Sequence, residues 1–106
     1  MAENDGESVP TPWFVYLIEC RGGSVYTGIA IDVAARYAAH CSGKGARYTR
    51  AHPPLRLLAS VAYPDRSSAL KAEYRIKQLS AAEKHRLIAD LVARGASSAD
   101  PESEKP

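Results

Sequence analysis

Glu73 is the carboxylate whose position invites chemistry. On a helix expected over residues 67–79, Ala69, Ala72, Ile76 and Leu79 lie to one side of it and Leu70 to the other, so Glu73 falls inside the apolar stripe. A carboxylate turned inward is costly unless it is paired or holds a cation. Two partners are open to it: a bound cation, or Lys77 one helical turn on, an ion pair worth about 0.3–0.5 kcal/mol when exposed. Arg36 and His40 form a second constellation. With Val33 and Tyr37 they share one side of an otherwise alanine-rich helix. An arginine clamps a phosphate and stabilises the charge that builds on it. A histidine titrates near neutrality and moves a proton. The plainer alternative is a packed arginine stem beside a satisfied histidine. Tyrosine usage is the third feature, six against one phenylalanine. Tyr16 and Tyr26 fall in neighbouring strands, and Tyr37 and Tyr48 follow in a basic region. Core packing explains a strand tyrosine; a platform for stacking bases is the sharper reading.

The charge is unevenly spread over the 106 residues. Residues 1–12 carry Glu3, Asp5 and Glu7 and no base. Residues 95–106 carry Asp100, Glu102 and Glu104 against Lys105. Between these tails, thirteen lysines and arginines face six carboxylates, and residues 33–64 hold no acid at all. Arg36, Lys44, Arg47, Arg50 and Arg56 lie in that stretch with His40 and His52, the footprint of a phosphate-binding surface. The expected organisation is a disordered acidic tail over 1–12, one domain over 13–94 and a second disordered tail over 95–106. Hydrophobic residues at 45% and charged residues at 25% exclude a wholly disordered chain. No apolar run approaches the roughly 20 residues of a membrane span, and the acidic N-terminus excludes a secretory signal. Cys20 and Cys41 lack the spacing of zinc ligands or a redox motif and read as reduced thiols, so a cytoplasmic location is expected. Ser42-Gly43-Lys44-Gly45 is no phosphate loop, because the upstream glycine and the following hydroxyl residue are missing.

The elements that position these residues follow from pattern. WFVYLIEC (13–20) and VYTGIAI (25–31) read as strands joined at Gly22-Gly23, which accept positive φ. Asp32 caps a helix carrying Arg36 and His40. A short helix is expected at 46–50, stopped by Pro53-Pro54, then a strand over 55–63 and the helix of Glu73. Ser80 and Glu83 form a capping box that starts a last helix running to Arg94, with Gly95 ending it.

The segments Val15-Tyr16-Leu17 and Val25-Tyr26-Thr27-Gly28-Ile29 resemble the two halves of the GIY-YIG motif. The resemblance continues through Asp32, Arg36, His40, the run Gly43 to Thr49, and Arg66 to Glu73, and covers about residues 13–90. It looks closest to the small stand-alone bacterial members. It implies an α+β fold, a three-stranded antiparallel sheet flanked by helices in the order ββααβαα. It implies divalent-metal-dependent hydrolysis of nucleic-acid phosphodiesters, with Mg²⁺ or Mn²⁺ as cofactor; nucleic acid is the expected partner, DNA ahead of RNA with both open. No membrane and no obligate protein partner is implied. Carried over by position, Tyr16 takes part in activating water, and Tyr26 orients the site and shares proton transfer. Arg36 holds the scissile phosphate, His40 is a second proton carrier, and Glu73 is the metal ligand. Gly28 admits close backbone approach. Lys44, Arg47, Tyr48 and Arg50 are the expected substrate contacts. For Tyr16 to act as a base near neutrality its pKa must fall, with Arg36 and the metal supplying the field.

This sequence departs from the family pattern twice. The first tripeptide reads Phe14-Val15-Tyr16, without its glycine, and the late asparagine of several branches has no counterpart, Asn4 being the only asparagine. With no appended DNA-binding domain, selection by substrate structure rather than by sequence is expected, and a nucleic-acid-binding module with weak or no catalysis stays open as the alternative.

Overall fold

The computed structural model describes residues 11–95. The tails expected to be disordered lie outside the described residues, apart from the positions next to the domain. Strand β1 (Trp13–Cys20) pairs antiparallel with β2 (Val25–Ala30) on one side and with β3 (Pro54–Tyr63) on the other, giving the order β2-β1-β3. The tight turn between β1 and β2 needs Gly22 and Gly23, at φ 94° and 90°. Aromatic and β-branched residues dominate β1, and as the central strand it is buried on both faces, so it reads as a near-continuous apolar run.

Alternation along β1 sorts the molecule into two layers. Tyr16, Ile18 and Cys20 face α1 (Val33–Cys41), which adds Val33 and Tyr37 to that side. Val15 and Leu17 face the opposite way. Val15 packs on Ala69 and Ala72 of α3 (Arg66–Lys77), and Leu17 packs with Ala59 and Ile88 of α4 (Ala81–Ala93). Two alanines in the contact let α3 approach the sheet closely. Leu70, placed by periodicity on the flank of this stripe, is 37% exposed and stays outside the core, since the 69–72–76 line already covers the strand.

Local signals set the helix ends. The Asp32 carboxylate accepts from Ala35 N–H at 3.0 Å, and that of Asp65 from Ser68 N–H at 2.7 Å. Both arms of the Ser80/Glu83 capping box form. The short α2 (Arg47–Ala51) sits beside α1 without a side-chain cap. Among the described residues, no helix is long and apolar enough to cross a membrane.

Candidate active site

The first face of the sheet buries a linked group of polar side chains where the second buries Thr27 alone among the described residues. Tyr16 stands on β1 opposite Gly28 of β2, and the hydroxyl end of its side chain covers that glycine. A Cβ at Gly28 would come to 2.5 Å from the Tyr16 hydroxyl and 2.6 Å from Cζ, so the space that Gly28 leaves is taken by Tyr16 rather than held open. His40, in the last turn of α1, is 1% exposed and meets the Tyr16 hydroxyl at 2.8 Å through Nε2. Its Nδ1 lies 2.7 Å from Oγ1 of buried Thr49 on α2. Thr49 spends its hydroxyl proton on the Ala46 carbonyl at 3.0 Å, so its oxygen accepts from His40 Nδ1–H. The Ala46 N–H approaches Nδ1 only at 3.4 Å, the weaker contact. Nε2 is then the acceptor, and the Tyr16 hydroxyl donates to it. A hydrogen-bond chain thus runs from Tyr16 through His40 and Thr49 to the backbone.

Tyr26 completes the cluster, with its ring centroid 5.0 Å from His40 and 6.3 Å from Tyr16. The charges of Arg36 and Glu73 both reach Tyr16 and act in opposite senses, the guanidinium lowering its pKa and the carboxylate raising it. Glu73 arrives from the layer of α3, and its side chain is 17% exposed. The Lys77 ammonium lies 3.2 Å from its carboxylate, so the ion pair open to Glu73 in the sequence is formed. Arg36 itself is exposed, unlike its stripe-mate His40.

Arg36 alone does not lower the Tyr16 titration as the Arg36-plus-metal expectation requires. Burial, reinforced by Tyr26, pushes it up to about 12, and Arg36 only partly offsets this. Burial and the Arg36 charge hold His40 below the ordinary imidazole value of 6.5. At neutral pH the protein by itself therefore keeps Tyr16 a phenol and His40 a neutral imidazole, the protonation states that the hydrogen-bond chain requires.

Residues 12–86 match the model of the GIY-YIG catalytic domain, and these residues hold the whole cluster. The chain belongs to the GIY-YIG family. That is a nuclease family, and nucleic acid is its substrate class. A UPF0213 protein of Cupriavidus pinatubonensis is 55% identical over 84 residues, 79% of this chain and 93% of that one. The UPF0213 protein YhbQ of Escherichia coli K12 is 51% identical over 80 residues, 76% of this chain and 80% of that one. The solution NMR structure of a UPF0213 protein from Bacillus halodurans is 45% identical, covers 74% of this chain and 83% of that one, and has a TM-score of 0.49.

Of the substrate contacts expected in this GIY-YIG domain, Lys44, Arg47, Tyr48 and Arg50 are all exposed. Arg56, from the same basic stretch, is tied to Glu19 at 2.7 Å. Tyr48 stacks on His52, with ring centroids 4.3 Å apart, and its hydroxyl donates to Ser24 at 2.6 Å. Sequence reasoning missed Thr49 and Gly45. A side chain on Gly45 would collide with the His40 ring, so this glycine makes room for the imidazole. The Gly-Lys-Gly punctuation was visible, but nothing local links it to a histidine on the preceding helix.

Among the described residues, no group of three or more His, Cys, Asp or Glu could hold a metal ion. Glu73 is a single, largely buried carboxylate beside the cluster. That donor set fits a hard cation such as Mg²⁺, which keeps several waters and takes one or two carboxylates together with substrate phosphate. Cys20 is buried and Cys41 exposed, both as free thiols.

Proposed function

We propose that this GIY-YIG domain is a divalent-metal-dependent endonuclease that hydrolyses phosphodiesters in DNA and selects by substrate structure. The observation that carries the reading is the directed chain Tyr16–His40–Thr49, ending beside Arg36 and Glu73. Mg²⁺ or Mn²⁺ held by Glu73 would supply Lewis-acid activation of the phosphate. The remaining work falls to the protein. Arg36, exposed yet close to Tyr16, reaches the scissile phosphate and steadies the charge that develops there. Tyr16 accepts a proton from the attacking water while giving its own to His40 Nε2. Since the phenol titrates near 12 and the imidazole below its usual value, neither transfer runs ahead of attack and the two protons move together. Thr49 holds His40 in the tautomer that leaves Nε2 free to accept. Tyr26 walls the cluster and orients Tyr16. Lys44, Arg47 and Arg50 steer the phosphate backbone.

A second reading, a nucleic-acid-binding module without catalysis, draws on one observation: Lys77 already occupies the Glu73 carboxylate. One assay separates the two. Purified protein is given branched, nicked and single-stranded DNA with Mg²⁺ or Mn²⁺, with Glu73→Ala run in parallel. The nuclease reading expects cleavage that disappears in Glu73→Ala with the fold intact. Cleavage that survives Glu73→Ala, or binding without any cleavage, overturns it; the latter outcome supports the module.

A further inference from the structure

Strand β2 is an edge of the sheet, and a cavity of about 440 Å³ opens along it, between the two helical layers. This volume is within the range of small-molecule sites, about 300–1,000 Å³. One wall is aromatic. Tyr26 and Tyr48 lie with centroids 6.1 Å apart and planes 21° from parallel, and His52 extends the strip behind Tyr48. The other wall, from α3 and α4, carries Lys77, Lys84 and His85. Between the walls lies Thr27, 1% exposed, whose Oγ1 is a buried side-chain polar atom with no hydrogen-bond partner among the described residues.

Two lining residues join this cavity to the catalytic cluster. Tyr26 touches His40 from one side, and Lys77 pairs with Glu73 from the other. Whatever fills the cavity is therefore contiguous with a phosphate held at Arg36. An aromatic face, an orphaned hydroxyl and two ammonium groups at such a place match the parts of a nucleotide: a base to stack, a polar base edge, and a phosphate. A base still paired in a duplex offers neither its flat face nor its pairing edge, so the occupant is unpaired. We infer that the β2-edge cavity is a subsite for one unpaired nucleotide next to the scissile phosphate, with its base against Tyr26 and Tyr48 and its phosphate on Lys77 and Lys84. This rests on the nuclease reading and deepens it, because it names the structural feature selected.

The test is binding by fluorescence anisotropy, with EDTA present so that no strand is cut. The probes are a labelled single-stranded DNA, an abasic strand of the same length and charge, and the matching duplex. The base-bearing strand is expected to bind about tenfold more tightly than the abasic strand or the duplex. Tyr48→Leu removes the stacking face and is expected to erase that preference while affinity for the abasic strand is kept. Tyr48→Phe, which keeps the ring, is expected to retain it. Thr27→Val keeps the shape of the site and is expected to weaken the base-bearing strand alone. Equal binding of base-bearing and abasic strands by the wild-type protein overturns the subsite and leaves phosphate binding standing. A preference that survives Tyr48→Leu also overturns it. If no probe binds, the nucleic-acid reading falls and the subsite with it. A base preference without cleavage when metal is restored supports the subsite and counts against catalysis.

Discussion

The two faces of one sheet do different work. On the α3/α4 side, Val15, Leu17, Ala59, Ala69, Ala72 and Ile88 make dry contacts that only hold the fold. On the α1/α2 side, the same strand buries Tyr16 against His40 and Thr49, polar groups that must all find partners. Residues 16 and 17 are adjacent and both are 1% exposed or less, yet one joins a hydrogen-bond chain and the other only packs. A strand exchanges face at every residue, so three strands suffice to separate an apolar packing face from a hydrogen-bonded polar one. Burial alone does not reveal function here. What distinguishes the faces is whether the buried groups carry protons.

Substitutions at these adjacent positions should part the two roles most widely. Tyr16→Phe keeps the ring over Gly28 and removes only the hydroxyl. Cleavage should fall by about 10²–10⁴-fold, the scale of a lost proton-transfer group, while the protein remains folded. Leu17→Ala should do the reverse. It should cost about 2–5 kcal/mol in denaturant unfolding, with the turnover of the remaining folded protein little changed. If Leu17→Ala lowers turnover as much as Tyr16→Phe, the faces are not separable and the comparison fails.

Gly28→Ala probes the packing of the polar face itself. The added methyl meets the Tyr16 hydroxyl at 2.5 Å and Cζ at 2.6 Å, so Tyr16 must move off His40. Overpacking of this kind costs about 1–3 kcal/mol, and activity should fall with it. A crystal structure of the variant that keeps the Tyr16–His40 hydrogen bond would contradict this account.

The dry face was legible in the sequence and the polar face only in part. Strand alternation, the Gly22-Gly23 turn, the Asp32 cap and the Ser80/Glu83 box are local signals, and each lies within a residue or two of its place in the structure. Even so, Leu70 was read as flanking the core although it is exposed, because periodicity gives an angle and not the width of the contact. Tyr16, Tyr26, Arg36, His40 and Glu73 were named from residue type, position and motif. Their mutual geometry was not readable. The Thr49 partner of His40, the room that Gly45 makes and the upward shift of Tyr16 all depend on how distant segments meet. The expected fall of the Tyr16 pKa weighed only the charges; in the fold, burial outweighs Arg36.

The pH dependence of stability should belong to the polar face. His40 binds its proton less readily when folded than the ordinary imidazole value of 6.5. As pH falls below about 6.5, the unfolded chain takes up a proton that the folded protein refuses, so stability declines. The decline ends once pH passes below the folded pKa. Denaturant midpoints measured from pH 8 to pH 4 should show this slope in wild type and lose the His40 contribution in His40→Gln. Arg36→Ala removes a cation that depresses His40, so an NMR titration should find the imidazole pKa higher in that variant. An unchanged or lower value would mean that Arg36 does not act on His40.

The smallest effect should be a gain. Thr27 belongs to the α3/α4 side of β2, opposite Leu17, and it is the polar exception there. Its hydroxyl is buried without a partner among the described residues, at a desolvation cost that no contact there returns. Thr27→Val replaces that hydroxyl with a methyl of nearly the same size. If Thr27 serves only the fold, the variant should be more stable by about 1 kcal/mol with no other consequence. If it serves a nucleotide in the edge cavity, the same gain in stability should come with weaker binding of a base-bearing strand. Thermal unfolding and strand binding, measured on one preparation, separate the two cases. A loss of stability in Thr27→Val would show that the hydroxyl has a structural partner, and the exception on the dry face would disappear.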